Sequence, residues 1–204
     1  MFGIRYVIVL FTIWAATGRL AAQIHSPLSE RTVLHVQIEP GSEMVVHGSS
    51  NINKFQCINT LLDEDYTHTF LVQEHNEEIV VEDAFLTVNV SQFDCGIKKL
   101  TKDFYKLVEE EDFPLWTLRL LAISRGDGPG QFKALINVTL AGRSKDLLIP
   151  IVSEGDDPAV CTGSIVVSIE EFDLEPPTKV LGLIKVDPDV RIEFKVGMRV
   201  VLVP

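Results

Sequence analysis

Few residues after position 30 could bind a metal or attack a substrate, and they are scattered. The candidates are Cys57, Cys95 and Cys161 with His35, His47, His68 and His75. A structural zinc centre draws its ligands in close pairs, and the three cysteines show no such spacing. His35 and His47 fall in strand-like stretches, and His68 and His75 near the ends of another, so they read as isolated surface histidines. Asp63, Glu64 and Asp65 are consecutive. A calcium loop needs alternating acids and a glycine, so this run reads as a turn. There is no G-x-S-x-G elbow, no H-E-x-x-H helix, no glycine loop to cradle phosphate, and no Cys-His pairing at an informative spacing. The expectation is a protein that is not an enzyme, with no catalytic residue, no metal and no cofactor.

The other chemistry open to cysteine is pairing, which depends on compartment. The chain opens with Arg5, an apolar run "YVIVLFTIWAA" (6–16) and the small residues of "TGRLAAQ". That order is a secretory signal peptide, cut after Ala22 or Gln23. The apolar run is short for a membrane span, and no cysteine near the cut suggests a lipid anchor. The expected division is a leader at 1–22, a polar lead-in at 23–32, and a single domain at 33–204. No later segment could cross a membrane as a helix, so the mature protein is expected to be periplasmic or secreted, without stable membrane insertion. There two of the three cysteines should bridge. Cys57 early in a strand and Cys95 at the start of a helical stretch are the pair that position favours, although spacing alone fixes no connectivity.

Net charge is −11, and loss of Arg5 and Arg19 with the leader takes it to −13. So acidic a surface repels phosphate backbones, and no basic stripe with interleaved aromatics offsets it, which argues against nucleic acid. Asn89 and Asn137 head N-x-S/T sequons, which matter only in a eukaryotic secretory pathway.

These residues are carried on short alternating stretches. Strand signals fall at 33–39, 43–50, 54–62, 67–74, 82–93, 115–124, 131–142, 145–152, 163–172 and 189–203, divided by turns such as "EPGSE", "RGDGPG" and "SEGDDP". The last is clearest: Val190, Ile192, Phe194, Val196, Met198, Val200 and Leu202 share a face opposite Arg191, Glu193, Lys195 and Arg199. One dry and one wet face indicate an antiparallel barrel or sandwich. A single stretch breaks the pattern. In "QFDCGIKKLTKDFYKLVEEEDFPLWT" (92–117), Ile97, Leu100, Phe104, Leu107 and Val108 follow helical spacing, with lysines opposite. One amphipathic helix across the open end of a barrel explains it. The acids of "EEED" (109–112) oppose the helix dipole there, so a frayed last turn is expected.

Several of these stretches, in this order, resemble the YceI family, the lipocalin-like polyisoprenoid-binding proteins of bacterial periplasms. They are "GSSNINKFQC" (48–57), the helix-bearing segment 90–118, "GQFKALINVTLAGRSKDLLIPI" (130–151) and the segment from "GSIVVSIEEF" to "RIEFKV" (163–196). The likeness spans about residues 33–202. The helix reads "KKLTKDFYKL" where many relatives carry histidine and serine, and the cysteines at 57 and 95 look like those of a Bacteroidetes-type subset.

The resemblance implies an all-β, antiparallel lipocalin-like barrel of about eight strands, closed at one end by a short amphipathic helix and enclosing an apolar tunnel. It also implies a partner: an isoprenoid-type lipid, a quinone or polyprenyl chain, bound or transported without catalysis. Each buried methylene contributes roughly 0.8 kcal/mol, so an isoprene unit is worth on the order of 3 kcal/mol before ordering losses. The expected lining is Leu86, Val88, Val90, Ala134, Ile136, Val138, Val167, Ile169, Ile192, Phe194 and Val196, with Phe104 and Leu107 from the helix. From the residues alone, such a stripe is more often a filled core. The competing reading is therefore a structural or protein-interaction domain with no ligand. A protein partner and a dimer are left open.

Overall fold

The computed structural model of the protein describes residues 31–60, 66–75, 78–155, 157–179 and 183–203. The expected leader, and all but the last two residues of the lead-in, lie outside the described residues. Five strands come first: β1 (Thr32–Ile38), β2 (Glu43–Ser49), β3 (Lys54–Thr60), β4 (Tyr66–His75) and β5 (Glu78–Asn89). Helix α1 (Lys98–Leu107) follows, then β6 (Leu115–Arg125), β7 (Gln131–Leu140), β8 (Arg143–Glu154) and β9 (Ala159–Ser168). A small pair, β10 (Thr178–Lys179) and β11 (Ile184–Lys185), precedes the long closing strand β12 (Asp189–Val203). Ten strands form one antiparallel sheet, and eight of them, in the order β1-β4-β5-β6-β7-β8-β9-β12, close into a ring through the β1–β12 pairing.

β12 makes that closure. One edge pairs with β9 from Asp189↔Ser168 to Met198↔Ala159. The other takes β2 from Arg191↔His47 to Lys195↔Glu43, then β1 from Met198↔Ile38 to Val203↔Val33. β1 and β2 thus lie end to end along one strand, parted by a small loop. The loop is held by Glu39 N–H donating to the Gly197 carbonyl at 2.7 Å, and by buried Ser42, whose hydroxyl donates to the Glu39 carbonyl at 2.7 Å and accepts from Gly197 N–H at 3.0 Å. Gly41 at φ +85° makes the turn, in a region that other residues enter only at a cost. Beyond the loop β1 turns its free edge to β4 and β2 turns its own to β3.

The ring is zipped unevenly. β4 and β5 pair only from Leu71↔Glu82 to His75↔Glu78, next to a bulge at Asp83 with φ 64°. Beyond it the strands part, and side chains reach across. His68 Nε2 meets the Asp83 carbonyl and the Tyr66 hydroxyl donates to Phe85 O at 2.8 Å, while from β3 Asn59 Nδ2 donates to Asn89 O at 2.8 Å. β8 and β9 also fork. Their ladder runs from Glu154↔Val160 to Ile151↔Gly163 and stops there. The next residue of β8 is Pro150, which has no N–H to give a neighbour.

α1 forms where the helical spacing placed it. Phe104 and Val108 are buried, and Leu100 and Leu107 pack half-buried against the core. Ile97 departs from the expectation: it is 64% exposed, because it sits at the N-cap in extended backbone (φ −128°, ψ 119°) before the helical turn begins. The acids depart too. The helix ends before them, in ordered backbone: Glu109 is left-handed at φ 55°, its N–H donates to Lys106 O at 3.3 Å, and Glu110 N–H donates to Tyr105 O at 2.9 Å. This is a Schellman closure with glutamate in glycine's usual place, so the acids cap the chain reversal and are not part of a frayed turn.

The helix is fixed to the barrel at both ends. The Tyr105 hydroxyl lies 2.7 Å from Ser91 O and 2.8 Å from Phe93 O. Ile58 and Asp94 exchange backbone hydrogen bonds of 2.9 Å, and the next residues, Cys57 and Cys95, are joined with their Cα atoms 4.0 Å apart. The bridge closes a loop of 38 residues, for which chain entropy gives about 3–4 kcal/mol. The double variant C57A/C95A is expected to lose stability of that order in urea denaturation while keeping its strand content by circular dichroism.

Candidate functional site

The inward faces of the ring are apolar, but they do not form one packed mass. A large cluster sits under α1, where Phe93 packs tilted at ring-centroid distances of 5.1 Å from both Phe104 and Trp116, with Val88, Val90, Val138, Val167 and Ile169 in the same cluster. Val90 is 0% and Phe93 1% exposed, so this end is solid. Two smaller clusters occupy other stretches of wall: Leu34, Val72, Val81 and Ala84 in one, and Ala134, Ile149 and Ile151 in the other. Between the clusters lie Leu86, Leu118, Leu120, Ile136, Leu147, Ile165, Ile192, Phe194 and Val196. All alternate inward, yet all stay partly accessible. Each packs against one or more of the clusters while keeping more accessible surface than Val90.

The residues expected to line a tunnel divide by height. Val88, Val90, Phe104, Val138, Val167 and Ile169 are buried in the plug beneath the helix, and Leu107 packs against it. Ala134 points inward but is covered by Ile149 and Ile151. Leu86, Ile136, Ile192, Phe194 and Val196 point inward and stay partly accessible between the clusters, as do Leu118, Leu120, Leu147 and Ile165, which the expected lining did not include. Strands β6 and β8 carry three of these four, and their alternation is visible in the sequence, as in Leu118-Arg119-Leu120.

One pair shapes the inner wall. Phe194 stands opposite Gly163, and a Cβ on that glycine would come within 2.3 Å of the ring. The ring therefore lies along the wall over β9, filling the place of the missing side chain. Phe55 does the same over Gly48, where the approach would be 2.5 Å. The end opposite α1 is spanned by turns, such as the 126–130 loop between β6 and β7, whereas the long connections gather at the helix end.

The polar candidates stay apart. His35 bonds Thr69 at 3.0 Å, His47 meets Glu193 at 3.1 Å, and His68 serves the β4–β5 seam. No three metal-ligating side chains converge among the described residues. Cys161 is buried on the inner face of β9, and burial pushes its thiol above the ordinary range, partly opposed by a hydrogen bond from Ser153.

No protein-family model matches the sequence, and no curated protein matches it. Solved structures do. The polyisoprenoid binding domain from Saccharophagus degradans implicated in plant cell wall breakdown is similar at TM-score 0.56 and 10% identity, covering 83% of this chain and 98% of that one. BcnA of Burkholderia cenocepacia is similar at TM-score 0.51 and 13% identity, covering 78% and 96%. A YceI protein of Campylobacter jejuni reaches TM-score 0.47 at 10% identity, covering 92% and 95%. At such identities the likeness is one of fold. The lipocalin-like barrel with a short helix expected from the sequence resemblance is the fold found here, and it is shared with the first two proteins.

Two phenols tie elements of the barrel together: Tyr66 across the β4–β5 seam and Tyr105 beneath the helix. Burial raises both above the ordinary 10.0, and Glu110 and Asp94 add to the effect at Tyr105. A tyrosine is neutral when protonated, so a raised folded value favours the fold wherever the phenol keeps its proton. That stabilisation is complete below about pH 10 and is lost as pH rises through the folded values. Urea midpoints are expected to fall above pH 10, with a smaller fall in Y105F.

Proposed function

We propose that the protein is a YceI-type lipid carrier that holds the apolar chain of an isoprenoid, a quinone tail or polyprenyl group, in a mid-barrel hollow. The observation that carries this reading is the row of inward residues left partly accessible between three separate core clusters, Ile136, Ile192 and Phe194 among them. An apolar chain laid there removes its own surface and that of the wall from water, at roughly 0.8 kcal/mol for each methylene enclosed. The description of a fold neighbour as a polyisoprenoid binding domain supports the class of ligand. No group in the hollow is needed as acid, base or nucleophile, which fits binding without catalysis. The Cys57–Cys95 disulfide, together with the leader expected from the sequence, fits a periplasmic or secreted site of action.

The competing reading, a filled barrel serving as an interaction domain, draws on the solid plug under α1. Solvent extraction separates the two. Purified protein extracted into organic solvent and analysed by mass spectrometry is expected to release a prenyl lipid. Empty extracts, together with no measurable uptake of farnesyl or longer probes, would favour the filled barrel. Phe194→Asp places a charge on the wall of the hollow, where burial with a lipid leaves it unpaired. It should reduce uptake at least tenfold in a folded protein.

A further inference from the structure

We infer that the fork between β8 and β9 is a side entrance through which the lipid chain passes into the barrel. This rests on the carrier reading above and adds the route. The ladder ends at Ile151↔Gly163, so residues 144–150 of β8 and 164–168 of β9 border an unzipped stretch of wall. Five strand residues at about 3.3 Å each make it roughly 16 Å long, enough for several isoprene units lying lengthwise. Continuing the register would set Leu148 opposite Val166. Both point outward, 57% and 59% exposed, among the most exposed large apolar side chains of the described residues. Directly behind them, Leu147 and Ile165 point inward.

The other fork shows what a shut seam looks like. Where β4 leaves β5, three carbonyls are bound by His68, Tyr66 and Asn59. At β8 the side chains turn the other way: Ser144 bonds Thr139 at 2.7 Å and Asp146 bonds Asn137 at 2.6 Å, both on β7. The far end of the fork is tied by the ion pair of Arg143 with Asp173, so it is a window with two closed ends. An external groove of about 610 Å³ reaches its inner corner, touching outward Pro150 and Ser164 and inward Ile151 and Phe194. An apolar rim, unlaced edges and a hollow behind them suit an alkyl chain crossing the wall. Aqueous solutes gain nothing from such a rim.

The test separates rate from affinity. A prenyl chain of three isoprene units carrying a dansyl group is mixed with protein in a stopped-flow instrument, and its Kd is measured at equilibrium. L148E/V166E, altered only on the exposed rim, should load and unload at least tenfold more slowly with Kd within twofold of wild type. V80E, at an exposed site on β5, should change neither. Should the double variant prove poorly folded, L148C/V166C in a C161A background, joined by a short bis-maleimide spacer, should slow loading likewise. Wild-type loading rates in both altered proteins would overturn the entrance while leaving the carrier reading intact. No binding of the probe by wild-type protein would overturn both.

Discussion

A sheet can close on itself only if some strand is long enough to serve the neighbours on both sides of the seam. β12 is that strand, with β9 along one edge and β1 and β2 in succession along the other. The loop at Glu39–Ser42 follows from this demand. Two strands can share one edge of β12 and still leave for different neighbours only if the chain steps sideways between them. Buried Ser42 takes up the backbone groups that the step would otherwise strand inside. The β2–β3 pair then extends the wall towards Asp94, where the disulfide and the Ile58–Asp94 hydrogen bonds bring the root of the helix against it.

Because closure comes from backbone ladders, the inside need not be filled for the wall to stand. Cohesion is spent unevenly. Aromatic rings and branched side chains crowd the helix end, while Phe194 lies over Gly163 on the wall and, on the β2–β3 pair outside the ring, Phe55 lies over Gly48. A ring standing upright at Phe194 would cross the interior. Placing it over Gly163 covers backbone that a glycine leaves bare, an aromatic–glycine pairing known to steady sheets.

Much of this architecture was legible in the chain. Two-residue alternation fixed which side of β12, β7 and β9 faces inward, and the spacing of Leu100, Phe104 and Leu107 marked the helix. Alternation failed where the backbone changes phase. Val81 and Ala84 both point inward, three residues apart, because Asp83 is bulged, so β5 begins at Glu78, well before the expected 82. Alternation also reports a face but neither a partner nor a height. Pro150 in the run "DLLIPIV" marks a residue that cannot donate to a neighbour but not that β9 is the neighbour β8 leaves there, and nothing separated buried Val88 from partly accessible Leu86. The left-handed Glu109 escaped for a different reason, since the sequence holds no glycine there to announce a reversal.

Cys161 gives the odd cysteine count a particular meaning. An unpaired thiol in an oxidising environment is the reagent that starts disulfide exchange, and its thiolate is the attacking form. Sunk in the inner wall with ionisation suppressed, this sulfur has neither the charge nor the approach to reach the Cys57–Cys95 bond. Folding therefore removes the chain's own saboteur from solution, and the crosslink that anchors the helix is shielded from shuffling by the barrel it helps to close.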